Sequence, residues 1–199
     1  MNNLGIACTA FRAPLRALPL MAMLAALPVM AAEMSFTFDP PQTQVHWVLD
    51  TALHTVHGTF QLKSGTVRFD PATGKASGAL IVDAMSGQSG SESRDHRMHK
   101  EIIQSEKYRE IVFTPDRVDG TVAPQGSSNV QVHGTFKLMN GSHELTLPIK
   151  IEMNAAQAAL STNFTVPYVK WGVKNPSVLF LHVNDKVDIE IKSVSRVGQ

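Results

Sequence analysis

The chain has 199 residues with 18 basic and 17 acidic side chains, a near-balance without charge runs that offers no purchase to nucleic acid and no polybasic patch for a membrane. Its one cysteine, Cys8, lies ahead of the first long apolar stretch, which excludes a disulfide framework. The fold must therefore be held by its core, and the length suffices for one domain.

Arg12 and Arg16 flank an apolar run from Ala17 to Val29, followed by the small-residue sites Val29-Met30-Ala31 and Met30-Ala31-Ala32. That order is the pattern of a cleaved export signal over 1–32, with the mature domain over 33–199. A permanent anchor is the competing reading, but the uncharged run is shorter than the ~20 residues a helical span needs. The expected address is the periplasm or the exterior, with no stable membrane anchor. Residues 33–199 carry 16 basic and 17 acidic groups, a charge of −1.

Pro40-Pro41 marks the end of a short lead, after which Val45, Trp47 and Leu49 alternate with His46, Val48 and Asp50 as a first strand. Thr55 to Leu62, a turn at Lys63-Ser64-Gly65, and Gly65 to Phe69 read as a hairpin. Asp70-Pro71-Ala72-Thr73-Gly74 is a turn, Gly78 to Ala84 a strand, and Ser86 to Ser91 a Ser/Gly-rich break. From Arg94 to Ile103 the period lengthens, with Met98 and Ile102 four apart among charges, which predicts a short helix. Strands follow at Ile111 to Thr114 and Arg117 to Val122 around Pro115. Val132-His133-Gly134-Thr135-Phe136 then repeats Val56-His57-Gly58-Thr59-Phe60, so the first hairpin is expected again, turning at Met139-Asn140-Gly141. Leu145, Leu147, Ile149, Ile151 and Met153 face one way on its returning strand, while Glu144, Thr146, Lys150 and Glu152 face the other. Ala158 to Val166 is a strand, Val169 to Pro176 is irregular, and Val187, Ile189 and Ile191 belong to a last strand.

Eight to ten strands interrupted once by helix predict an all-β sandwich or a closed barrel of about eight strands, flanked or capped by the helix. Closure is favoured because it removes exposed edges and leaves room for one small ligand. Three segments in order carry a resemblance: Gly58-Thr59-Phe60 to Gly65-Thr66-Val67-Arg68-Phe69-Asp70, Ser93-Arg94-Asp95-His96-Arg97-Met98-His99 to Glu106-Lys107-Tyr108, and Gly134-Thr135-Phe136-Lys137-Leu138-Met139-Asn140-Gly141. With these the chain resembles the YceI-like family over most of its mature length. The resemblance implies an exported, lipocalin-like antiparallel barrel around a polyisoprenoid or isoprenoid-quinone-like lipid. Tyr168 to Ser177 departs from the family's usual regular strand, which bears on one end of the cavity.

The candidate cavity lining is Trp47, Phe60, Phe69, Phe113, Phe136, Leu145, Leu147, Phe164 and Trp171, with ordinary core packing as the alternative for each. Arg94 and Asp95 match the family's helix motif and are candidate head-group contacts; the local alternative is Asp95 complementing the helix dipole and Arg94 pairing with a carboxylate. His54 and His57 point to opposite faces of a strand, and His96 and His99 lack a third ligand at a recognisable spacing, so no metal or other cofactor is expected. These histidines read instead as surface or hydrogen-bonded groups, some fixing the helix to the barrel rim. A nucleophile elbow Gly-x-Ser-x-Gly is absent and the mature chain has no thiol, which points to a binding protein rather than an enzyme. The competing function is an exported stress-related or protein-interaction module with a filled barrel and no lipid. Oligomeric state stays open, with a homodimer among the options.

Overall fold

Eight antiparallel strands pair in chain order and the last returns to the first, so the sheet closes as a barrel. The computed structural model describes residues 32–198. The export signal read over 1–32 lies, save for its final residue, outside them. The strands are β1 (Met34–Asp50), β2 (Thr55–Phe69), β3 (Ala76–Gln88), β4 (Glu110–Asp119), β5 (Gly126–Leu138), β6 (Gly141–Asn154), β7 (Gln157–Val166) and β8 (Val187–Gly198). Between β3 and β4 lies the one helix among the described residues, α1 (Glu92–Arg97), which widens into a single π turn at Met98–Ile102. No described helix is long and apolar enough to cross a membrane.

The strands are long because three of them bend without stopping. In β1 the inward residues are Phe36 and Phe38, then Thr43, Val45 and Trp47, an even set followed by an odd one. Pro40-Pro41 sits where neither ladder of β1 keeps register. The sequence reading of a break there is corrected: the prolines, which lack an N–H to donate, occupy a bulge, and the strand continues with its phase shifted by one. β2 does the same. Val56, Gly58 and Leu62 face inward, then Gly65 and Phe69, with the register against β3 slipping between Leu62 and Ser64. Lys63-Ser64-Gly65 is thus a bulge and not the predicted turn. In β4 the shift falls between Pro115 and Arg117, so Phe113 and Val118 both point in.

The two copies of the repeat therefore differ in outcome. Only the second makes the expected hairpin: β5 and β6 pair from Gly126↔Met153 to Leu138↔Gly141, and Met139 takes φ 56° in the turn. What the copies share is the glycine. A Cβ on Gly58 would lie 2.1 Å from the Trp47 ring and 2.3 Å from the Gln88 carbonyl, and one on Gly134 2.4 Å from the Thr114 carbonyl. Each glycine lets a neighbouring strand or ring cross close to the backbone.

Side chains inside the barrel form two apolar clusters. One, around Phe36, Phe69, Val130 and Ile151, fills the end that holds the β2–β3 and β6–β7 turns. The other, around Ile102, Leu138, Val166, Tyr168 and Val173, fills the end covered by the helix and the β7–β8 loop.

Candidate functional site

The interior is not fully packed: each cluster surrounds a chamber. The deep chamber, about 130 Å³, is walled by residues such as Phe36, Phe69, Phe113, Val130, Leu147 and Ile151. Its few polar groups lie along β1, β7 and β8. The Thr43 and Ser193 hydroxyls bond each other at 2.7 Å, whereas the buried Thr162 hydroxyl has no partner. An unpaired buried hydroxyl costs about 1–3 kcal/mol, so Thr162 stands as a local cost to the fold.

The mouth chamber, about 270 Å³, lies at the helix end, where its wall includes Trp47, Phe60, Met98, Ile102, Tyr168 and Val183. It also includes His54 and Arg94, which are exposed, so this chamber reaches the surface. Ile111 and Phe136 border both chambers and stand between them. Phe136 is held there by Phe164, edge-on at 6.3 Å, and by Trp171 at 5.6 Å.

Helix placement depends on His99. Its Nε2 lies 2.9 Å from the Gly87 carbonyl, which can only accept, so Nε2–H donates there and Nδ1 accepts from the Ser105 hydroxyl at 2.8 Å. The predicted role of a histidine in fixing the helix to the rim thus falls to this residue. At the same end Tyr168 donates its hydroxyl to the Asn184 carbonyl at 2.6 Å. Its burial, with Asp185 adding to it, pushes that hydroxyl up to about 12 from an ordinary 10.0.

The β6–β7 seam of the barrel is only half laddered. β6 and β7 pair from Ile149↔Thr162 to Asn154↔Gln157, and the stretch Gly141–Pro148 has no partner on that side. There the Trp171 indole stacks flat on His143, 4.2 Å between centroids and 3° between planes.

Of the sequence-predicted lining residues, Phe69, Phe113, Leu147 and Phe164 border the deep chamber, Trp47 and Phe60 the mouth chamber, and Phe136 both. Leu145 and Trp171 border neither. Trp171 is spent on the half-laddered seam, and Leu145 lies on the stretch of β6 that has parted from β7. Arg94 borders the mouth chamber while its guanidinium donates to the hydroxyl and carbonyl of Ser89 at 2.8 and 2.7 Å. Asp95 does not border the chamber: its carboxylate accepts from the Ser89 hydroxyl on the side of the helix that faces Gly87 and carries His99. Neither residue makes the carboxylate pair that the local alternative supposed for Arg94. The sequence reading missed Phe36, Phe38, Tyr168, Val173 and Arg97. Phe36 and Phe38 were signalled by their own alternation ahead of the prolines.

The YceI-like domain model matches residues 36–194. The chain belongs to the YceI-like family. Solved structures share its barrel at low identity. The BcnA protein of Burkholderia cenocepacia is 18% identical, covers 79% of this chain and 98% of its own, and superposes with a TM-score of 0.65. A polyisoprenoid binding domain from Saccharophagus degradans, implicated in plant cell wall breakdown, is 14% identical over 82% of this chain and 98% of its own, TM-score 0.67. The Campylobacter jejuni YCEI protein is 17% identical over 72% and 86%, TM-score 0.56. No curated protein matches this YceI-like chain in sequence.

Proposed function

We propose that the protein is an exported, non-enzymatic carrier that encloses the tail of a polyisoprenoid, an isoprenoid quinone or a similar long-chain lipid. The observation that carries this reading is the pair of apolar chambers, both bordered by Ile111 and Phe136, inside a YceI-like barrel. A polyisoprenoid binding domain with the same fold supports the class of ligand. The export pattern over 1–32 supports a periplasmic or secreted address, outside the inner membrane, where a water-insoluble tail needs a container.

Burial of the tail drives binding. Ten methylenes at ~0.8 kcal/mol each outweigh a head-group hydrogen bond of ~1 kcal/mol, so tail length governs affinity more than head-group chemistry. The polar contacts left for a head group are at the mouth: Arg94, Arg97, and the buried Trp47 Nε1–H, which has no partner. The apolar chambers that the side chains leave unfilled speak for cargo and against a filled barrel that serves as an interaction module.

Mass spectrometry of the organic extract from protein purified without detergent from its own host tests the proposal. A stoichiometric long-chain isoprenoid is expected. An extract that stays empty after incubation with polyprenyl lipids would refute it.

A further inference from the structure

The loop between β7 and β8 ends in a feature that the barrel does not need. Val178 and Leu181 bond each other through both backbone pairs, at 3.1 and 2.7 Å, and close a two-residue turn whose tip is Leu179-Phe180. Leu179 is 99% exposed and Phe180 96%. The neighbouring turn between β1 and β2 adds Leu53, 79% exposed. The two turns are joined, since Ala52 N–H donates to the His182 carbonyl at 2.9 Å and Thr51 bridges Val183. Asn175 and Ser177 brace the base: the Asn175 amide donates to the Val183 carbonyl, and Val183 N–H donates to the Ser177 hydroxyl. Leu179 holds φ 31°, in the region that favours glycine, yet a large apolar side chain stands there.

We propose that this apolar finger inserts into the surface of a lipid bilayer and sets the mouth chamber against it, so that a tail passes between membrane and barrel without crossing water. The proposal rests on the lipid-carrier reading and adds the membrane as docking partner. Continuity is the first argument. Leu181, Val183 and Pro176 line the mouth chamber, and the finger extends the same segment outward, so the apolar tip adjoins the chamber wall. Area is the second. With about 200 Å² for the aromatic ring, the side chains of Leu53, Val178, Leu179 and Phe180 offer roughly 500 Å² in all, short of the ~800 Å² per partner of a stable protein interface. A few apolar side chains do suffice for reversible seating in a bilayer interface.

Flotation of the purified protein with vesicles of phosphatidylethanolamine and phosphatidylglycerol is the test, comparing wild type with Leu179→Ser/Phe180→Ser. Both positions are solvated, so thermal unfolding of the variant should match wild type. Wild type should float, and the variant should bind about tenfold more weakly or worse per residue replaced. The proposal falls if wild type stays at the bottom, if the variant floats equally, or if sedimentation reveals a wild-type dimer that the variant lacks. Organic extracts of both proteins separate the two readings. Lipid in the barrel without flotation overturns the finger alone; flotation that needs the finger, with a barrel that never takes lipid, overturns the carrier reading and leaves the docking surface.

Discussion

Phe136→Asp tests whether one tail threads both chambers. Phe136 stands with Ile111 between the two chambers, so a carboxylate there bars a tail from the deep chamber while leaving most of the mouth wall in place. The deep chamber measures about 130 Å³. At the ~30 Å³ a water occupies in the liquid, taken as the size of a methylene, it holds about four methylenes. At ~0.8 kcal/mol each they contribute about 3 kcal/mol, or upwards of a hundredfold in affinity. Isothermal titration with prenyl alcohols of increasing length should show wild-type affinity rising until the tail fills both chambers. Phe136→Asp should plateau about four carbons earlier and bind short tails as wild type does. Phe136 is half-buried, so its loss should cost about 3 kcal/mol of stability, and melting curves must show the variant folded. Phe136→Leu keeps the position apolar and should keep the full length dependence. An equal loss for short and long tails would refute the threading, as would no loss at all.

Thr162→Val removes the deep chamber's unpartnered hydroxyl and should raise stability by about 1 kcal/mol in denaturant melts; a loss would mean that the hydroxyl is satisfied in solution. Gly58→Ala places a methyl 2.1 Å from the Trp47 ring and should destabilise by about 3 kcal/mol or more, with a red-shifted tryptophan emission, and an unshifted spectrum would contradict that packing. Tyr168 holds its proton up to about pH 12 in the folded chain but only to about 10 when unfolded. The folded state thus binds the extra proton between those values, and stability present below pH 10 declines as pH rises toward 12. In Tyr168→Phe that alkaline decline should flatten, at the cost of the bond to Asn184 throughout, and parallel pH profiles for the two proteins would refute the assignment.

The strand pattern was readable wherever alternation was unbroken, as in β6, where Leu147, Ile151 and Met153 are buried and their neighbours are wet. It failed at the bulges. A one-residue insertion at Pro40-Pro41 or Lys63-Ser64 flips the inward set from even to odd, and in sequence that slip looks like a break or a turn. Only the third dimension distinguishes the Lys63-Ser64-Gly65 bulge from the Met139-Asn140-Gly141 turn, since both follow the same repeat. Lining aromatics could be listed from inward phase, yet which of them stand between the chambers depends on closure. Trp171 was unreadable for another reason: it lies on irregular backbone, where no period tells inside from outside, and its partner His143 is twenty-eight positions earlier.

The pairing of β1 with β8, from Ser35↔Gly198 to Val48↔Asp188, has a kinetic consequence. These partners are almost as distant along the described chain as any two residues, so closing the ring carries the full loop entropy and belongs among the slow steps of non-local β folding. Until β8 docks, β1 and β7 each show a bare row of N–H and C=O groups next to an apolar interior, a template for aggregation. A chaperone in the compartment where the chain folds would therefore have its longest window of engagement while residues 187–198 are still undocked, and a truncation at Lys186 should yield a sticky open sheet with neither chamber sealed.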